Sequence, residues 1–107
     1  MIRETNNNIK CTIAMGALQH VMDPEIGLSV IDLGLVYKIN FNEGDRSIDV
    51  DMTLTTQFCP MGESIIDGVR AGLEDTFKGD VVNINLVFEP RWNHDMISDE
   101  GREFLNQ

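Results

Sequence analysis

At 107 residues, 42% hydrophobic and 24% charged, the chain has the size and make-up of one soluble globular domain with a single modest core. Its formal charge of −10 and pI near 4.3, with no Lys/Arg cluster to offset them, exclude a nucleic-acid backbone as partner. No apolar run is long enough to span a membrane, and the first ten residues lack a signal-peptide core, so the expected compartment for the two cysteines is a reducing cytoplasm.

Residues 1–7 read as a frayed polar lead outside the fold. From about Asn8, the residues Cys11, Ala14, Met15, Leu18, Val21 and Met22 recur three and four apart, which predicts a helix that Asp23-Pro24 stops. Cys11 lies on that apolar stripe and reads as a small core hydrophobe. After a loop around Asp23–Leu33, two alternating segments follow. Leu35, Tyr37, Ile39 and Phe41 share one face of the first, and Ile48, Val50, Met52 and Leu54 share one face of the second. Turn residues at Asn42-Glu-Gly-Asp45 join them into a hairpin, with Lys38, Asn40, Asp49, Asp51 and Thr53 facing solvent or a partner.

A second helix is predicted from Pro60 to about Phe77, with Ile65, Ile66, Val69, Leu73 and Phe77 as its core stripe, and Lys78-Gly79 ends it. Gly62, Gly68 and Gly72 lower its propensity and suit close packing on the sheet. A third strand, Val81–Phe88, turns Val82, Ile84, Leu86 and Phe88 inward; Glu89–Ser98 forms a loop, and a short helix, Asp99–Leu105, is capped by Ser98. The order α-β-β-α-β-(α) predicts an α/β (α+β) two-layer domain over 1–107, a small three-stranded mixed sheet with helices on one face.

The chemistry concentrates at Cys59, where a strand gives way to a helix opening on Pro60. A thiol at a helix N-terminus sits beside free N–H groups and the positive dipole end, which favours the thiolate that binds metals or attacks electrophiles. The net charge and Glu63 oppose that, so a functional thiolate and a buried junction cysteine stand level on chemistry alone. Thr53, Thr55 and Thr56 read equally as hydroxyl donors to a bound sulfur or as ordinary strand formers. Asp23 and Glu25 read as hard oxygen ligands or as two solvated carboxylates around a proline, the second being the simpler reading; Asp32 reads as a brace for the turn at Gly34. His94 fits a solvated loop histidine better than a soft-metal ligand, and His20 a favourable helix-end contact. Trp92 suits a partner anchor or packing of the tail. No nucleotide-binding glycine loop is present, and a Cys59–His94–Asp95 hydrolase fails because adjacent His and Asp side chains diverge.

Three segments resemble the SufT/PaaD-like metal–sulfur cluster biosynthetic (iron–sulfur assembly) family. They are Asp23-Pro-Glu-Ile-Gly-Leu-Ser-Val-Ile-Asp-Leu-Gly-Leu-Val-Tyr37, Met52-Thr-Leu-Thr-Thr-Gln-Phe-Cys-Pro-Met61, and Arg91-Trp-Asn-His-Asp-Met-Ile-Ser-Asp-Glu-Gly-Arg102. The resemblance implies a non-enzymatic accessory factor in iron–sulfur cluster assembly or delivery. Cys59 would be the metal or sulfur ligand, with Asp23, Glu25 and Thr55 as its supports. Its cofactor would be a transient iron–sulfur cluster, and its partners scaffold or recipient apo-proteins. The Cys-x-x-Cys pair of related scaffolds is absent, so a cluster needs a homodimer, an outside thiol or a partner's cysteines. Phe58 stands where family members often carry a small residue. The competing readings are a metal-free adaptor that binds a scaffold or recipient, and a thiol-dependent enzyme.

Overall fold

The computed structural model describes residues 4–24, 26–55 and 62–105, with the backbone alone at His94. Its sheet has four strands rather than three. Glu4–Thr5, expected to lie outside the fold, is strand β1 and pairs in parallel with Lys38 and Ile39. The amide of Asn6 extends this pairing, donating to the Phe41 carbonyl at 3.0 Å and accepting the Phe41 N–H at 2.9 Å. A two-residue strand has no periodicity to read, so the sequence pattern gives no sign of it.

Helix α1 (Asn8–Leu18) starts at Asn7, whose extended backbone and side chain cap the Lys10 N–H at 3.0 Å. It buries Cys11, Ala14 and Leu18, as the spacing requires. It does not reach Val21 and Met22. The N–H groups of His20 and Val21 turn back to the carbonyls of Ala17 and Leu18, and Met22 forms an isolated antiparallel bridge with Ser29. Loop pairing has taken the backbone groups that another helical turn would use, and Met22 is left half exposed.

Strands β2 (Val36–Asn42) and β3 (Ser47–Met52) form the expected hairpin. A register shift between Val36 and Lys38 breaks the alternation and buries Val36 and Tyr37 together. Thr53, expected on the outer face, is fully buried because its N–H donates to the Leu35 carbonyl at 2.8 Å and draws it under the loop before β2.

Helix α2 (Gly62–Thr76) crosses over to β4 (Val81–Leu86), which lies parallel to β3 at the end of the sheet order β1-β2-β3-β4. The expected helix start at Pro60 lies outside the described residues. Ile65, Val69 and Leu73 meet Ala14 and Leu18 of α1 and the inner residues Ile39, Ile48, Val50 and Met52 in one core. The α2 glycines admit neighbours other than the sheet strands: a Cβ at Gly62 would meet Leu54 Cδ1 at 2.8 Å, and one at Gly68 would meet Val21 Cγ1 at 3.0 Å. Leu86, expected inward, is 42% exposed, at the end of the strand that closes the sheet order. The chain ends in a 3-10 turn (His94–Met96) and α3 (Asp99–Leu105).

Candidate functional site

Loop 21–35 is the least regular part of the core and one of the most buried, with Leu28, Val30, Ile31, Leu33 and Leu35 all in the hydrophobic cluster. Its backbone folds on itself. The Asp23 N–H donates to the Leu28 carbonyl and the Gly27 N–H to the Asp23 carbonyl, both at 2.8 Å, while Asp23 Oδ1 accepts the Ile26 N–H at 3.3 Å. Gly27 closes the turn at φ +85°, a conformation that costs glycine nothing. Asp23 is only 2% exposed, so the picture of a solvated carboxylate beside a proline is wrong for this residue. Desolvation of a carboxylate is tolerated where hydrogen bonds satisfy it, and here they hold the loop closed.

Two neighbouring segments converge on this loop. Leu35 accepts from Thr53 at the end of β3, and Val21 packs against the Gly68 position of α2. The loop therefore sits against both the strand that leads toward Cys59 and the helix that follows it. Thr55 lies at a bend after β3 and is partly buried. Glu25, Thr56, Phe58 and Cys59 lie outside the described residues. Among those that are described, no group of three or more His, Cys, Asp or Glu side chains is placed to hold a metal ion. Cys11, on the buried face of α1, is 6% exposed and thus unavailable as a companion ligand to Cys59.

The third motif packs against the same loop and the start of β2. The Trp92 indole N–H donates to the Leu33 carbonyl at 2.6 Å, and the Tyr37 hydroxyl donates to the Pro90 carbonyl at 2.9 Å. Trp92 is partly buried against the core, which favours the packing reading over the exposed anchor. Asp32 braces the tail rather than its own turn: its Oδ1 accepts the Ser98 hydroxyl at 2.9 Å and its carbonyl accepts the Ser98 N–H at 2.7 Å. Gly34 lies at φ +73°, and a Cβ there would collide with the Met96 carbonyl. Asp95 pairs on the surface with Arg102 at 3.7 Å.

Sequence reasoning missed Ser29. It is buried within an apolar run; its hydroxyl donates to Gln19 Oε1 at 3.2 Å and accepts the Asp32 N–H at 3.0 Å. A lone hydroxyl among apolar residues was the available signal, since burial obliges it to find partners.

Residues 13–86 match the model of a family described as iron-sulfur cluster assembly protein. Over 78 residues the chain is 44% identical to the Fe-S protein maturation auxiliary factor SufT of Staphylococcus aureus, covering 73% of this chain and 88% of that one. Over 84 residues it is 45% identical to an Fe-S protein maturation auxiliary factor of Porphyromonas gingivalis, covering 78% and 79%. Its fold superposes on the crystal structure of a domain of unknown function, DUF59, from Bacillus anthracis with a TM-score of 0.82 at 28% identity, over 89% of this chain and 90% of that one.

Proposed function

The chain belongs to the iron-sulfur cluster assembly protein family, and from that membership we propose that it is an accessory factor in which Cys59 transiently holds a cluster or its sulfur on the way to an apo-protein. The carrying observation is that the family match runs through both the Asp23–Tyr37 loop and the cysteine segment, with maturation factors 44% and 45% identical over most of the chain. Such a factor guides cargo through protein contacts and turns over no small substrate.

The cluster is cargo here, not a resident group. Cys11 is committed to the core, so it adds no ligand beside Cys59, and the remaining ligands come from a second copy, a scaffold, a recipient or a small thiol. Asp23 serves by locking the loop rather than by reaching the cargo, because its carboxylate already accepts a backbone N–H within a closed turn. Glu25 and Thr55 are its proposed supports: Glu25 as a hard oxygen ligand or base, Thr55 as a hydroxyl donor to bound sulfur. A reducing cytoplasm suits this role because it keeps Cys59 a thiol.

Anaerobic reconstitution with iron and sulfide, read by visible absorption, tests the reading. Wild type and Cys11→Ala are expected to gain cluster absorption, and Cys59→Ala to gain none while keeping its far-UV circular dichroism. The iron-to-chain ratio then reports whether two chains share one cluster. Equal absorption with and without Cys59 would remove it from the site. Absence of absorption in all three, with maturation of a recipient enzyme intact, would establish the metal-free adaptor instead.

A further inference from the structure

We propose that β4 is a self-complementary edge through which two copies of this chain pair antiparallel, joining their sheets about a twofold axis at Ile84. β4 closes the strand order, and among the described residues its outer edge pairs with nothing. Natural edge strands are usually protected by charge, proline or a bulge. The stretch 81–88 carries no charged residue and no proline in a chain of net charge −10, and no bulge interrupts its register with β3. Val81 at 61% and Leu86 at 42% are among the most exposed large apolar side chains.

The backbone fixes which groups face outward. The N–H groups of Val81 and Val87 donate to the β3-side carbonyls of Arg46 and Met52 at 2.9 and 2.8 Å. Successive residues of a strand direct these groups to opposite edges, so Val82, Ile84 and Leu86 present theirs to the free edge. Their side chains lie on the helix face. Asn83 and Asn85 lie on the open face, where they donate to Asp49 and Asp51, and Val87 lines a hollow there with Lys38 and Asp51.

An antiparallel pairing that extends a sheet about a perpendicular twofold must match residues of the same face. Centred on Ile84, it sets Ile84 opposite Ile84, Val82 opposite Leu86, Asn83 opposite Asn85 and Val81 opposite Val87. Within 81–87 every pair is apolar with apolar or amide with amide, and Ile84 with Ile84 and Val82 with Leu86 fall on the hydrogen-bonded positions. A centre at Asn83 instead puts Leu86 opposite Asp80 and Val81 opposite Asn85. The Ile84 arrangement sets Glu89 opposite Gly79 and Asp80 opposite Phe88, so charged residues stay at the two ends of the pairing and none falls within it. A second copy is therefore the occupant that this strand fits, independently of any cluster chemistry.

Sedimentation equilibrium tests the pairing. The wild-type mass is expected to rise with concentration from 12.0 kDa toward twice that value, while Leu86→Lys stays at 12.0 kDa. Leu86→Pro should also stay monomeric, since the donor it removes faces away from β3; if that variant unfolds, the lysine variant decides alone. Amide exchange gives the register: Ile84 and Leu86 protected in concentrated wild type and unprotected in Leu86→Lys, with Val81 and Val87 protected in both. A wild type that remains monomeric, a folded Leu86→Lys that still dimerises, or a dimer whose Ile84 amide exchanges freely would overturn the proposal.

Discussion

Gly34 shows how a single position ties two motifs together. Its φ of +73° is costly for any residue with a Cβ, and the space that a Cβ would fill belongs to the Met96 carbonyl. Gly34→Ala is therefore expected to destabilise the protein by about 2 kcal/mol or more, seen as a lower urea midpoint at unchanged slope. A change within about 0.5 kcal/mol, ordinary for a surface position, would show that the tail moves aside easily. Asp23 and Ser29 act on the same scale: both are buried polar groups whose hydrogen bonds shape the loop. Cys11 and Cys59 divide the cysteine roles, one filling core space and the other proposed for cargo.

At the scale of elements, the tail from Pro90 to Leu105 is held by side chains reaching back to loop 21–35. Ser98 is central because its hydroxyl caps α3 through the Gly101 N–H at 3.1 Å and also donates to Asp32. Ser98→Ala removes both bonds and is expected to cost about 1–2 kcal/mol. Trp92 is the only tryptophan, so its emission reports directly on whether the tail stays docked. A red shift in Ser98→Ala below its unfolding transition is the expected result. Unshifted emission and unchanged stability together would mean that Trp92 and Tyr37 suffice to hold the tail.

At the scale of the molecule, 18 acidic residues face 8 basic ones, and the described ion pairs involve at least one well-exposed partner each. Exposed pairs contribute little, so the dominant electrostatic term is self-repulsion of the acidic surface. Raising ionic strength from about 0.01 M to about 0.15 M shortens the screening length from about 30 Å to about 8 Å, and Tm is expected to rise. A fall in Tm would show that the surface pairs outweigh the repulsion. Among the described residues no helix is long and apolar enough to cross a membrane.

The sequence by itself determined the strands and helices whose apolar residues keep a regular period. These are β2, β3, α2 and most of α1, while the cap residue Ser98 marked α3. It also marked Cys11 as core, since periodicity encodes which face is buried. Tertiary structure decided what depends on contacts distant along the chain. It drew Glu4–Thr5 into the sheet through Asn6, pulled Thr53 inward beneath Leu35 and buried Asp23 in a closed loop. It left Leu86 on an uncovered edge and turned Asp32 toward Ser98, 66 residues away. Local pattern carries no record of such partners, because a hydrogen bond to a remote backbone group imposes no spacing on the residues that make it.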